Sequence, residues 1–204
     1  MDKTIISRAG WNSRGPKKPF SWLNKKRVQG IALHHSGIKN GPKGMAAVQA
    51  FEKHHMDSNG WNAIAYNWLV DEQGVIYEGR GAGVISAATR PYTESICYTG
   101  DGDAIVPMQA LESIRWLISD IQKRYDHKLW VKGHRDLAAT ACPGSFLYNW
   151  LQAGMPVTER NLSSNELSGV KAHIDRLGAS LAKKPLSKRR KSRGEAVRAA
   201  QERL

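Results

Sequence analysis

The stretch VQGIALHHSG, residues 28–37, is an apolar run that ends in two adjacent histidines. Such a run predicts a buried β-strand, and neighbouring side chains of a strand point to opposite faces. The bulky Ile31 and Leu33 share a face with His35, whereas small residues surround His34. We therefore expect His35 to be a packing residue and His34 to be the better candidate for a ligand.

Short apolar runs and helical patterns alternate around this strand, which predicts an α/β fold. Residues 107–125 form the strongest helical pattern, because apolar side chains recur there every three or four positions. A second helix is predicted over residues 44–57, and a strand over 129–134. The runs 65–70 and 75–79, separated by DEQG, predict a hairpin.

The composition changes near residue 155. Residues 1–154 predict one domain, and residues 155–204 predict a linker and a basic, partly helical extension. This quarter of the chain has 12 basic and 5 acidic residues, about half of the net charge of +13. Its densest basic run comprises Lys183, Lys184, Lys188, Arg189, Arg190, Lys191 and Arg193.

The positive charge favours a polyanionic partner. Anionic polymers of a cell envelope, or a membrane surface, suit the basic extension. Nucleic acid fits the charge as well but is not favoured, because few aromatic side chains accompany the run to stack on bases. The short apolar seam of residues 167–181 is expected to pack on its own domain, so we expect a monomer, and self-association through the seam is the less favoured alternative.

The first residues, MDKTIISRAGW, contain no apolar core of the secretory type, and no run of the chain is long enough to span a membrane. We therefore expect a protein made and held in a cytoplasm. In a reducing compartment, Cys97 and Cys142 are expected to be a buried thiol or a metal ligand, and a disulfide between them is the weaker alternative.

The stretch GHRDLAATACPGSF, residues 133–146, places His134 eight positions before Cys142. Together with His34 they make two imidazoles and one thiol, a set that holds catalytic zinc and leaves one coordination position open. The spacing is not that of a zinc finger. A structural cysteine and a histidine that caps a turn would give the same sequence, so spacing alone leaves both interpretations open.

Four stretches in order resemble one family: SRAGWNSR (7–14), IALHHSG (31–37), GWNAIAYNWLVDEQGVIYEGRG (60–81) and GHRDLAATACPG (133–144). They are similar to the zinc-dependent N-acetylmuramoyl-L-alanine amidases of the phage lysozyme and peptidoglycan-recognition-protein superfamily. The resemblance covers roughly residues 5–153. It implies a mixed central β-sheet flanked by helices.

The resemblance also implies roles for individual residues. It assigns the zinc ligands to His34, His134 and Cys142, the catalytic tyrosine to Tyr66, and a transition-state donor to Thr140. The implied activity is hydrolysis of the amide bond between N-acetylmuramic acid and L-alanine of peptidoglycan. A phage endolysin, stored in the host cytoplasm until it is released to the cell wall, would combine this activity with the basic extension.

The alternative is a peptidoglycan receptor of the same fold that has lost catalysis. Non-catalytic members of the superfamily typically lack the zinc cysteine, so Cys142 favours the enzyme. The chain departs from the family at Ala87 and Ala88, where many members have a histidine. Substrate contacts along that wall of the site are therefore expected to differ.

Overall fold

The computed structural model describes residues 3–89 and 92–157. The basic run and the apolar seam of the predicted extension lie outside the described residues. In chain order the strands are β1 (Ile5–Ile6), β2 (Gly30–His35), β3 (Trp68–Val70), β4 (Ile76–Glu78), β5 (Thr93–Tyr98) and β6 (Trp130–Gly133). The α-helices are α1 (Gly44–Lys53), α2 (Met108–Gln122) and α3 (Ser145–Gln152).

The six strands form one mixed sheet in the order β1-β4-β3-β5-β2-β6. The β3–β4 hairpin is antiparallel, and the other neighbouring pairs are parallel. The strand β2 lies between β5 and β6, so both of its edges are hydrogen-bonded. This central position explains its nearly continuous apolar sequence, which is typical of a parallel strand covered on both faces.

Each face of the sheet is covered by a hydrophobic cluster. One cluster joins Ile31 and Leu33 of β2 to the apolar side of α2 and to Leu147 of α3. The other joins Val48 and Phe51 of α1 to Leu69, Tyr77 and Cys97. The fold is therefore α/β with a central mixed sheet and flanking helices, as the sequence predicts.

Several boundaries differ from the predicted ones. The strand predicted from residue 65 begins only at Trp68, because the buried side chain of Asn67 bonds the carbonyls of Gly81 and Val84 and the amide of Ser95 in place of a strand ladder. Tyr66 consequently precedes the strand. The helix predicted over residues 44–57 is α-helical to Lys53 and continues as a π-helical turn, His54–Ser58.

The two-residue strand β1 and the helix α3 are not among the predicted elements. The long helix α2 begins directly after Pro107, as its sequence predicts, and buries Leu111, Ile114, Ile118 and Ile121. Within residues 3–89 and 92–157, none of the helices is both long and apolar enough to cross a membrane.

Candidate metal centre

His34 lies near the carboxyl end of β2 and is 2% exposed. It pairs in register with Cys97 of β5, whose side chain faces α1, whereas the preceding pair, Leu33 and Ile96, faces α2. The two histidines of the motif therefore point to opposite faces, as predicted from the strand period. His34 is the one that turns toward the other candidate ligands.

His134 directly follows β6 and begins a short 3-10 turn that ends at Asp136. Because Gly133 pairs with Leu33 of β2, the residues that follow them, His34 and His134, lie side by side. The imidazole rings of His34 and His134 are accordingly 4.5 Å apart between centroids. Parallel pairing thus brings together two residues that are 100 positions apart in the sequence.

Cys142 completes the cluster. Its Sγ lies 3.6 Å from Nδ1 of His34, and the backbone N–H of His35 donates to the same sulfur at 3.4 Å. One ligand atom from each of His34, His134 and Cys142 lies within 4.8 Å of the others. Cys97 and Cys142 are both free thiols, so the disulfide alternative is not seen.

The loop from His134 to Cys142 is closed by hydrogen bonds at both ends. The backbone N–H of Arg135 donates to the carbonyl of Cys142 at 2.8 Å, and the Arg135 guanidinium donates to the carbonyl of Ala141. The carboxylate of Asp136 accepts the Gly133 N–H at 3.0 Å and the Tyr148 hydroxyl at 2.7 Å. These bonds fix the two loop ligands against β6 and α3.

The side chain of His35 holds a second loop. Its Nδ1 accepts the backbone N–H of Gly102 at 2.9 Å. Gly102 in turn lies against the backbone of Pro143 and Gly144: a Cβ on Gly102 would lie 1.9 Å from the Pro143 oxygen, and one on Gly144 would lie 2.2 Å from the Gly102 carbonyl carbon. His35 is therefore no ligand of the cluster, but it supports the segment that carries Cys142.

Burial sets the protonation of the three candidate ligands. Burial, supported by the neighbouring His134 and His35, lowers the pKa of His34 to about 3. Burial also lowers the pKa of His134 and raises that of Cys142 to about 11. Both imidazoles are therefore neutral near pH 7, which is the form that binds a metal.

The residues fit a zinc ion. Among the described residues, Nε2 of His34 is buried without a hydrogen-bond partner, and a buried polar atom of this kind is normally satisfied. Two neutral imidazoles and a cysteine sulfur are the donor types that zinc prefers, and the Cys142 thiol would lose its proton on binding the metal. Three protein ligands also leave one tetrahedral position for water or substrate.

Two further predicted site residues lie beside the cluster. The ring of Tyr66 is 5.3 Å from that of His34 between centroids. Thr140 is exposed, and its Oγ1 accepts the backbone N–H of Cys142 at 3.2 Å. A cleft of about 360 Å³ opens next to His134 and is lined by Ala87, Ala88, Thr89, Leu137 and Ala138.

Residues 24–145, more than half of the chain, match the family described as N-acetylmuramoyl-L-alanine amidase. The chain belongs to the N-acetylmuramoyl-L-alanine amidase family. The peptidoglycan-recognition protein SC1a of Drosophila melanogaster is 30% identical to this amidase-family chain over an alignment of 155 residues, which covers 71% of this chain and 82% of that protein. An N-acetylmuramoyl-L-alanine amidase of Sus scrofa is 29% identical over 165 residues, 72% of this chain but 27% of the pig protein.

Solved structures of the family agree with the architecture. The wild-type Drosophila peptidoglycan recognition protein LB superposes with a TM-score of 0.67 at 27% identity, covering 78% of this chain and 99% of that one. A complex of the recognition proteins LCa and LCx with tracheal cytotoxin gives a TM-score of 0.68 at 27% identity, covering 73% and 95%. Relatives of the amidase-family chain thus include proteins that bind peptidoglycan fragments.

The structure brings together the three predicted ligands and Tyr66, and it places Thr140 beside Cys142. The residues that hold these side chains in place were not among the predicted site residues. Asp136 was visible as the last residue of GHRD, directly after a candidate ligand, but its partner Tyr148 lies in the unpredicted helix α3. The support of the Cys142 segment by His35 had no local signal in the sequence, because Gly102 is 67 positions away.

Proposed function

We propose that this amidase-family protein is a zinc-dependent N-acetylmuramoyl-L-alanine amidase. The observation that carries the proposal is the convergence of His34, His134 and Cys142, with ligand atoms within 4.8 Å of one another, at the side of an open cleft. A receptor would need the cleft but would not need two neutral imidazoles and a thiol at its edge.

His34 and His134 would each bind zinc through one imidazole nitrogen, and Cys142 would bind it through its sulfur. When bound, zinc polarises a carbonyl and lowers the pKa of a coordinated water to about 7, which supplies a nucleophile near neutral pH. The chain keeps the ligands ready for this by burying His34 and by donating the His35 N–H to the sulfur.

Tyr66 and Thr140 supply the hydrogen bonds. The Cys97 thiol and burial raise the pKa of Tyr66 well above its ordinary value, so its hydroxyl keeps its proton and can orient the water or the scissile carbonyl. The Thr140 oxygen accepts the Cys142 N–H, which leaves the hydroxyl proton for the substrate. A neutral donor to a developing oxyanion contributes about 3–4 kcal/mol in well-studied hydrolases.

Digestion of purified peptidoglycan tests the activity. We expect fragments with a free L-alanine amine and an intact glycan chain, loss of this activity after treatment with a chelator, and its return when Zn²⁺ is added back. Mass analysis separates this cut from glycosidase and endopeptidase cuts. Binding of peptidoglycan without turnover by the zinc-loaded protein would establish the receptor instead, and full activity of a metal-free preparation would contradict the zinc mechanism.

We further propose that the enzyme is a phage endolysin that acts from the host cytoplasm on the cell wall. The charge of residues 155–204 supports an electrostatic contact with anionic envelope polymers or membrane. Deletion of residues 183–204 should weaken binding to cell walls and make the remaining binding less sensitive to salt, while turnover of a small soluble substrate stays unchanged. An unchanged salt response would contradict this role of the extension.

A further inference from the structure

A row of aromatic rings leads from the ligand cluster to the surface. The ring of Tyr66 is 5.3 Å from that of His34, and the ring of His55 meets Tyr66 edge-on at 5.8 Å. Trp61 stacks on His55 at 5.0 Å, with an angle of 23° between the planes. Trp61 is 37% exposed, so the row ends in solvent.

His55 is also bonded to the segment that carries Tyr66. The backbone N–H of Ala65, the residue directly before Tyr66, donates to Nδ1 of His55 at 3.2 Å. A nitrogen that accepts a hydrogen bond carries no proton, so the ring is neutral with its proton on Nε2. Burial, with His54 and Arg80 in support, lowers the pKa of His55 to about 4 and keeps this form near pH 7.

The end of α1 is shaped to present this ring. The helix continues as a π-helical turn, closed by a bond from the Asn59 N–H to the His54 carbonyl at 3.1 Å. The Trp61 N–H donates to the His55 carbonyl at 2.9 Å, which places the indole over the imidazole. The preceding residue, His54, is exposed. Of the two adjacent histidines, only His55 therefore touches the Tyr66 segment.

Tyr66 lies two residues before β3. Its carbonyl accepts the Arg80 N–H at 2.8 Å, which holds the backbone but leaves the direction of the side chain to the groups packed around the ring. His55 contacts both the ring of Tyr66 and the amide of the residue before it. A displacement of about 1 Å in a catalytic group can change a rate about 100-fold.

We propose that His55 is a positioning residue that holds the Tyr66 hydroxyl toward the ligand cluster, with Trp61 as its outer brace. The inference rests on the proposed amidase function for its effect on turnover. The hydrogen bond to Ala65 can be tested without turnover.

The decisive variants are His55→Asn and His55→Leu, whose side chains have the same branched shape and the same number of heavy atoms. Asparagine keeps an acceptor oxygen in the place of Nδ1, whereas leucine has none. We expect His55→Leu to lower kcat about 10-fold with little change in KM, and His55→Asn to recover most of that loss. Zinc content should stay unchanged in both, and His54→Asn, at the adjacent exposed position, should match the wild type.

Two measurements separate positioning from a general loss of structure. In a Tyr66→Phe background, His55→Leu should lower kcat no further, because residues that act as a unit are not additive. Hydrogen exchange of the Ala65 amide, followed by NMR, should accelerate in His55→Leu but not in His55→Asn. If His55→Leu does not fold, Trp61→Leu at the exposed end of the row should lower kcat in the wild type but not in Tyr66→Phe.

Additive losses in the Tyr66→Phe background, or equal activity of the Asn and Leu variants, would overturn the proposal. The Ala65 amide could exchange faster in His55→Leu but not in His55→Asn while the wild type shows no turnover. That result would reject the amidase function and leave the His55 contact established.

Discussion

The metal ligands come from two regions that are built differently. His34 belongs to a central strand whose two edges are hydrogen-bonded, and it is almost completely buried. His134 and Cys142 are each half-buried and lie at the two ends of a loop that is held by a few side-chain bonds and by contacts with α3. The strand fixes one ligand through the register of the sheet, whereas the loop ligands depend on individual residues that can be removed one at a time.

The largest effect is expected from the loop thiol. Cys142→Ser should lower kcat by more than about 100-fold, because removing a metal ligand lowers activity more than removing a residue that only hydrogen-bonds to a ligand. Zinc content by mass spectrometry should fall in parallel, while binding of a muramoyl peptide remains measurable. Cys97→Ala, a change at the other cysteine, should retain zinc. Turnover close to the wild type in Cys142→Ser would show that the ligand assignment is wrong.

The strand ligand should dominate the pH dependence of the metal-free protein. Because the pKa of His34 in the fold is about 3, below its unfolded value of 6.5, its contribution to stability is complete above pH 6.5 and is lost as the pH falls toward 3. One such group contributes at most about 1.4 kcal/mol per pH unit. Urea titrations should show that the free energy of unfolding of His34→Gln depends less on pH than that of the wild type. His134→Gln should change this pH dependence by a smaller amount.

A steeper loss of stability in His34→Gln than in the wild type would contradict this assignment. An effect of His134→Gln as large as that of His34→Gln would show that the strand and loop ligands are equally buried in solution.

The smallest effect is expected from the bonds around the loop. Asp136→Asn replaces an acceptor oxygen that faces the Gly133 or Tyr148 donor, and it should weaken zinc binding about 10-fold in a competition titration with a chelator. Tyr148→Phe removes only the hydrogen bond from the Tyr148 hydroxyl to Asp136, and it should weaken zinc binding less than Asp136→Asn does. The exposed Asp126→Asn is the matched control. Unchanged zinc affinity in Asp136→Asn would mean that the strand alone positions the site.

The same contrast explains what the sequence could predict. The face of His34 follows from a period of two residues, which is a local property of the chain, and the apolar face of α2 follows equally from its 3–4 spacing. The start of β3 was predicted three residues too early, because the bonds that the Asn67 side chain makes with Gly81, Val84 and Ser95 span 14 to 28 positions. The supports of the loop, Tyr148 and Gly102, are non-local in the same way.

The close approach of Gly102 to Gly144 also limits how this centre can be moved to another protein. A designer who copies His34, His134 and Cys142 onto a different parallel sheet reproduces the donor atoms but not the segment that carries the sulfur. Both glycines must come too, since any side chain at either position collides with the opposite backbone. His35 must accompany them to hold Gly102. The smallest transferable unit is therefore three separate chain segments, around residues 30–35, 100–103 and 133–148, together with their relative spacing.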